Sequence, residues 1–266
     1  MSFSIAGKTA IVTGAANGLG LAIARQFADK GANVMFADMD EKRLIEELGP
    51  RAEEGNVRYF AGDLRERLTI ANLISATIDA FDQIDILVNG ARQILPTDPL
   101  DPDDDTVAQL LDMNMMPALR LSQQVARRMI KQAEDAPEKA GGAIISLSSI
   151  ASRRAHPDLL GYSIASAALE QMTRSLAVSL AQHKIRVNAV AFGSVMSASL
   201  QSTLKENLDL RSDIEKHTPL SRIASAAELA DTVQFLACEG ASFMTGQVLT
   251  YDGGRTVFDP VEASAH

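Results

Sequence analysis

A strand-like run, Lys8–Thr13 (KTAIVT), passes directly into a glycine-rich turn, Thr13–Gly20 (TGAANGLG), and then into a helical pattern, Leu19–Lys30. Few backbones accommodate that junction. Gly14 permits a tight turn, Gly18 allows the main chain to approach a phosphate closely, and Gly20 lets the helix pack tightly. The helix that follows offers unpaired N–H groups and the positive end of its dipole to an anion. The second strand-like run ends in Asp38, 24 residues beyond Gly14. A carboxylate there accepts hydrogen bonds from both adenosine ribose hydroxyls and repels a 2′-phosphate. Asp40 adds negative charge and the turn contains no arginine. The pattern therefore predicts a dinucleotide site that favours NAD over NADP.

The same alternation continues along the chain. Strand-like runs at Asn33–Ala37, Val57–Ala61, Ile84–Val88, Ala143–Leu147, Arg186–Ala191 and Gln247–Thr250 are separated by helix-length amphipathic stretches such as Asp40–Leu48. Their near-continuous apolar character suits parallel strands covered on both faces. The expectation is one α/β domain over residues 1–266, a Rossmann-like doubly wound parallel sheet flanked by helices, with no repeat and no linker. Lys131–Gly142 is the most polar stretch and reads as a helix end and turn. Ser199–His217 interrupts the alternation just after a strand, where α/β sheets bind ligands. With the residues leading into it, from about 195, it is a candidate substrate lid or a helix packed for stability.

Charge and composition exclude several functions. A net charge of −9 argues against nucleic acid and anionic lipid, which require clustered Lys and Arg. No run approaches the ~18 apolar residues of a membrane span, and Met1–Lys8 does not read as a signal peptide. The only cysteine, Cys238, cannot form an intramolecular disulfide, which suits a reducing cytoplasm. His156, His183, His217 and His266 lack ligand spacing, and Asp103–Asp105 follow Pro102 as acids suited to opening a helix, so no metal is expected.

Several landmarks together resemble the short-chain dehydrogenase/reductase family along nearly the full length. They are the glycine turn, the Asp63–Leu64 pair after the third strand, Asn114, Ser149 placed 13 residues before Tyr162, the strand Arg186–Ala191 (RVNAVA) and the ending Tyr251–Gly254 (YDGG). The resemblance implies reversible hydride transfer between a secondary alcohol and the nicotinamide of NAD, giving a ketone, with the cofactor carrying the hydride. It assigns Tyr162 as acid/base, Ser149 as the hydrogen-bond partner of the substrate oxygen, and Asn114 as holder of a water in a proton relay. The cofactor would lie against Gly14, Asn17, Gly18, Leu19, Gly20, Asp38, Met39, Asp63, Leu64, Asn89, Gly90, Ala91, Tyr162, Gly193, Val195 and Ser197. Family members assemble as tetramers or dimers through the helices bearing Asn114 and Tyr162, so a homo-oligomer is expected. Val195, Met196, Leu200 and Leu204 suggest a partly apolar sugar-, polyol- or steroid-like substrate.

The family pattern breaks at three places. Its Tyr-x-x-x-Lys motif reads Tyr162-Ser163-Ile164-Ala165-Ser166 here. In the family a lysine four residues on shares the tyrosine's helix face, lowers the phenol pKa and hydrogen-bonds the nicotinamide ribose. Loss of that charged hydrogen bond costs about 1.5–3 kcal/mol. The usual Asn-Asn-Ala-Gly is Asn89-Gly90-Ala91-Arg92, and the usual Pro-Gly is Phe192-Gly193. Arg92 either projects into the space the lysine would fill, supplying its charge, or points to solvent or a carboxylate. Arg153-Arg154 either meet an anionic substrate or form a solvated loop pair. Met113–Met116 reads as core or pocket packing. Two functions stay open: an NAD-dependent enzyme, and a protein of the same fold that binds NAD without turnover and acts through partners.

Overall fold

The computed structural model describes residues 3–49, 55–207 and 209–260. Seven parallel strands form one sheet: β1 (Thr9–Thr13), β2 (Asn33–Asp38), β3 (Val57–Ala61), β4 (Ile86–Asn89), β5 (Gly142–Ser149), β6 (Ile185–Phe192) and β7 (Val248–Tyr251), in the order β3-β2-β1-β4-β5-β6-β7. The helices between them are α1 (Gly18–Asp29), α2 (Glu41–Leu48), α3 (Arg67–Phe81), α4 (Thr106–Leu110), α5 (Met116–Asp135), α6 (Leu160–Leu180), α7 (Ala198–Glu206), α8 (Asp209–Lys216) and α9 (Ala226–Ala237). The chain winds outward through β1, β2 and β3, then returns across α3 to place β4 on the other side of β1. That reversal opens a crevice at the carboxyl ends of β1 and β4.

The doubly covered sheet explains the unbroken apolar runs. Successive strand residues point to opposite faces. Ala10 and Val12 of β1, with Val34 and Phe36 of β2, join a core with Ile23 and Phe27 of α1 and Leu229, Val233 and Leu236 of α9. Ile11 and Met35 join the opposite core with Leu73 of α3 and Leu121, Val125 and Met129 of α5. Both faces of β1 and β2 are therefore apolar.

The start of β4 lies two residues later than the sequence predicts, a larger shift than the single residue at β1 and β7. Ile84 is fully buried, but its backbone is paired by a side chain rather than a neighbouring strand. The buried amide of Gln132 on α5 accepts from the Ile84 N–H at 2.9 Å and donates to the Ile84 carbonyl at 3.0 Å. Regular pairing consequently starts at Ile86. The polar stretch before β5 is, as expected, a helix end and turn: α5 runs to Asp135 and Pro137–Lys139 forms a 3-10 turn.

The interrupting segment before residue 217 folds as α7 and α8, and α7 lies against α1. Residue 208 of the candidate lid falls outside the described residues. Within it Val195 and Leu204 are buried, leaving Met196 and Leu200 half-buried. No described helix is long and apolar enough to cross a membrane.

Candidate active site

A cleft of about 450 Å³ runs along the carboxyl ends of the strands. At one end lie Asp38, Met39, Asp63 and Leu64; the glycine turn with Asn17 and Leu19 forms its middle; Gly90, Ala91, Arg92 and Ser197 close the other end. The turn has the backbone the sequence predicts, with φ of 70° at Gly14 and 55° at Gly18. It also leaves no room for side chains. A Cβ at Gly14 would lie 2.8 Å from the Ala91 nitrogen and the Gly90 carbonyl. A Cβ at Gly20 would lie 2.1 Å from the Gly14 carbonyl oxygen, so Gly20 fits the helix against the turn itself, closer than against the sheet.

The two halves of the cleft are tied by Thr13. Its hydroxyl accepts from the Gly90 N–H at 3.0 Å and the Ala91 N–H at 3.1 Å. Asn17 is the N-cap of α1 but makes no side-chain capping hydrogen bond, and the first turn of α1 holds no acidic residue. The helix start is therefore open to an anion. The Asp38 carboxylate accepts from the Ala16 N–H at 3.0 Å and the Asp40 N–H at 3.1 Å, which anchors it at the edge of the turn. A carboxylate has about four acceptor positions, so two remain for a ligand. Asp40 caps α2 by accepting from the Arg43 N–H. Across the cleft, hydrogen bonds from the Arg65 side chain hold the Asp63 carboxyl below its usual range.

Tyr162 and Asn114 come together. With Asn89, Arg92, Leu147 and Ser166 they border a second, small cavity of about 20 Å³ beside the cleft. Asn114 lies in a π-helical turn, Leu111–Met115, closed by the Met116 N–H donating to the Leu111 carbonyl. Pro117 is the second residue of the next helix and has no N–H to donate four residues back, which favours the wider turn. The Asn114 carboxamide accepts from the Gln93 N–H at 2.7 Å and donates to the Gln93 carbonyl at 2.9 Å. It thereby clamps the irregular segment after β4.

Ser149 ends β5 and does not border the small cavity. Its hydroxyl accepts from the Ala151 N–H at 3.1 Å, leaving its own O–H to donate. Ala151 packs in the same apolar cluster as Tyr162, which links the two elements. Asn89 lies in β4, its amide donating to the hydroxyls of Ser122 and Ser146. Gly193 and Val195 lie outside the cleft: Gly193 abuts the Ile150 side chain, and Val195 is buried and bridged to Ala224. Ser197 does line the cleft and its hydroxyl caps α7 by accepting from the Leu200 N–H.

The arginines sort clearly. Arg153 donates to the Thr250 hydroxyl and pairs with Glu170, and Arg154 donates to the carbonyls of Arg255, Thr256 and Phe258, so both fasten the chain. Arg92 instead stacks its guanidinium over the Phe192 ring, 4.2 Å from the centroid. Met113, read as core or pocket packing, lines the cleft, whereas sequence reasoning missed Ala37, Gly62, Arg65, Gln93, Leu95 and Pro117 as cleft residues. Gln93 and Leu95 sit in a segment without regular structure, where periodicity carries no signal. Among the described residues no three His, Cys, Asp or Glu side chains converge as a metal site; His266 lies outside them. Asp104 accepts from the backbone of Asp98 and Thr106 just ahead of α4.

Residues 14–256 match a family model described as enoyl-(acyl carrier protein) reductase. The chain is 31% identical over 259 residues to an uncharacterised oxidoreductase of Thermotoga maritima, covering 94% of this chain and 98% of the relative. It is 30% identical over 259 residues to glucose 1-dehydrogenase of Gluconobacter oxydans, covering 97% and 95%. Among solved structures, a 7α-hydroxysteroid dehydrogenase complexed with NADH and 7-oxo glycochenodeoxycholic acid superposes with a TM-score of 0.86 at 28% identity, covering 95% and 96%. A short-chain type dehydrogenase/reductase from Mycobacterium ulcerans superposes with a TM-score of 0.85 at 25% identity, covering 96% and 91%. With its reversing parallel sheet, glycine turn and relatives of nearly equal length, this chain belongs to the short-chain dehydrogenase/reductase family of oxidoreductases.

Proposed function

We propose that the protein is an NAD(H)-dependent oxidoreductase that interconverts a secondary alcohol and a ketone. The observation that carries the reading is the cleft joining Asp38, the open start of α1 and Ser197 on one surface. Its glycines leave the width a dinucleotide backbone needs, because a Cβ at Gly14 or Gly20 would strike main chain. Asp38 would take the adenosine ribose and disfavour a 2′-phosphate, and the N-terminus of α1 would take the pyrophosphate. Gly90, Ala91 and Ser197 would flank the nicotinamide.

When bound, the cofactor donates or accepts the hydride at the substrate carbon. The chain's own residues handle the proton. Tyr162 gives its phenolic proton to the developing alkoxide during reduction and removes it during oxidation. The Ser149 O–H, left free to donate, orients the substrate oxygen. Asn114 holds the segment carrying Arg92 and Gln93 in place. Met196 and Leu200, half-buried and flanking the cleft residue Ser197 in sequence, suit a partly apolar substrate of the sugar, polyol or steroid kind. A homo-oligomer built on α5 and α6, working in the cytoplasm, completes the reading.

Titration of the purified protein with NADH and NADPH, followed by cofactor fluorescence, is the test. Micromolar NADH binding with much weaker NADPH binding supports it; binding of neither overturns it. An alcohol and ketone screen comes next, and Tyr162→Phe should abolish any turnover found. NADH binding without turnover of any substrate would favour the alternative, a protein that holds NAD and acts through partners.

A further inference from the structure

The positions where the chain leaves the family pattern lie together in space. Arg92 stacks on Phe192, and Arg92 and Ser166 border the same small cavity as Tyr162. Arg92 adopts its place without positive φ, so an arginine where the family carries glycine brings no backbone strain. It is half-buried and has no carboxylate partner among the described residues. Its Nη1 is buried with no hydrogen-bond partner among the described residues. The other arginine lining the cleft, Arg65, is engaged by Asp63.

A buried guanidinium nitrogen without an acceptor is costly, about 1–3 kcal/mol or more for a charged group. Arg92 lines the large cleft as well as the small cavity, so the guanidinium that carries this unpaired nitrogen borders the space a ligand would fill. The ring of Phe192 holds the cation by its π face and fixes the plane of the fork. A proline at 192 could not do this.

We propose that Arg92 is the cation of this site, taking the binding role that a lysine at position 166 has elsewhere in the family. Its guanidinium donates to a ribose hydroxyl at the nicotinamide end of the cleft, and Phe192 is the residue that positions it. The inference rests on the proposed function, since it presumes that a dinucleotide occupies the cleft.

The test compares NADH, which spans the cleft, with ADP, which reaches only the Asp38 and α1 end. Arg92→Gln should weaken NADH binding by about 10- to 100-fold, the equivalent of one charged hydrogen bond. ADP binding should stay within about twofold of wild type. The double variant Arg92→Gly/Ser166→Lys restores the family pattern and should recover most of the lost NADH affinity. Phe192→Leu should give an intermediate loss for NADH alone. Unchanged NADH affinity in Arg92→Gln, an equal loss for ADP, or no recovery in the double variant each overturns the proposal while leaving the proposed function standing. Failure of the wild type to bind NADH or ADP strikes the proposed function itself, before any variant is made.

Discussion

The side-chain amide of Asn114 grips both backbone groups of Gln93, accepting at 2.7 Å and donating at 2.9 Å. One residue earlier, Arg92 lies on Phe192. The π-helical turn of residues 111–115 thus fixes the far end of the cleft through a single carboxamide.

Asn114→Ala should therefore release the 90–95 segment. Two hydrogen bonds are lost, worth about 1–3 kcal/mol together. Thermal unfolding should show a modest destabilisation, and NADH affinity should drop while ADP affinity holds. Asn114→Asp keeps the acceptor for the Gln93 N–H but sets a carboxylate against its carbonyl, and should recover little.

Gly20→Ala tests the tightest contact in the cleft. The added Cβ would lie 2.1 Å from the Gly14 carbonyl oxygen, a main-chain atom held by the turn. Overpacking costs about 1–3 kcal/mol. Urea unfolding should register that loss, and both NADH and ADP binding should weaken, since the whole turn must shift.

Gln132 carries a purely structural prediction. Gln132→Leu would leave the buried N–H and carbonyl of Ile84 unpaired. Each orphaned group costs about 1–3 kcal/mol. Equilibrium unfolding should show a loss of about 2–6 kcal/mol, with nucleotide affinity nearly unchanged in the fraction that remains folded.

Glu228 makes stability depend on acid. Hydrogen bonds from Arg222, and from Ser225 in the capping box of α9, pull its pKa down to about 2 from an ordinary 4.5. A carboxyl with a depressed folded-state pKa stabilises fully above its unfolded value, and that contribution fades as pH falls towards the folded value. The stability difference between wild type and Glu228→Gln should be constant above about pH 5 and shrink between pH 4.5 and about 2. A difference that stays flat across that window would refute the assignment.

The sheet, the glycine turn and the Asp38 end of the cleft were legible in the residue order. Strands buried on both faces must be apolar throughout, and a turn that cannot hold a Cβ must be glycine, so both constraints write themselves locally into the chain. Val57–Ala61 begins and ends where its run of residues predicts. The late start of β4 was hidden, because the partner of Ile84 is Gln132, 48 residues away. The same holds for the other end of the cleft. That Arg153 and Arg154 fasten loops while Arg92 lies against Phe192 depends on which side chains the fold brings into contact across 100 residues. Periodicity reports which face of an element is buried; it carries nothing about partners chosen between distant segments, and only the packed tertiary structure decides those.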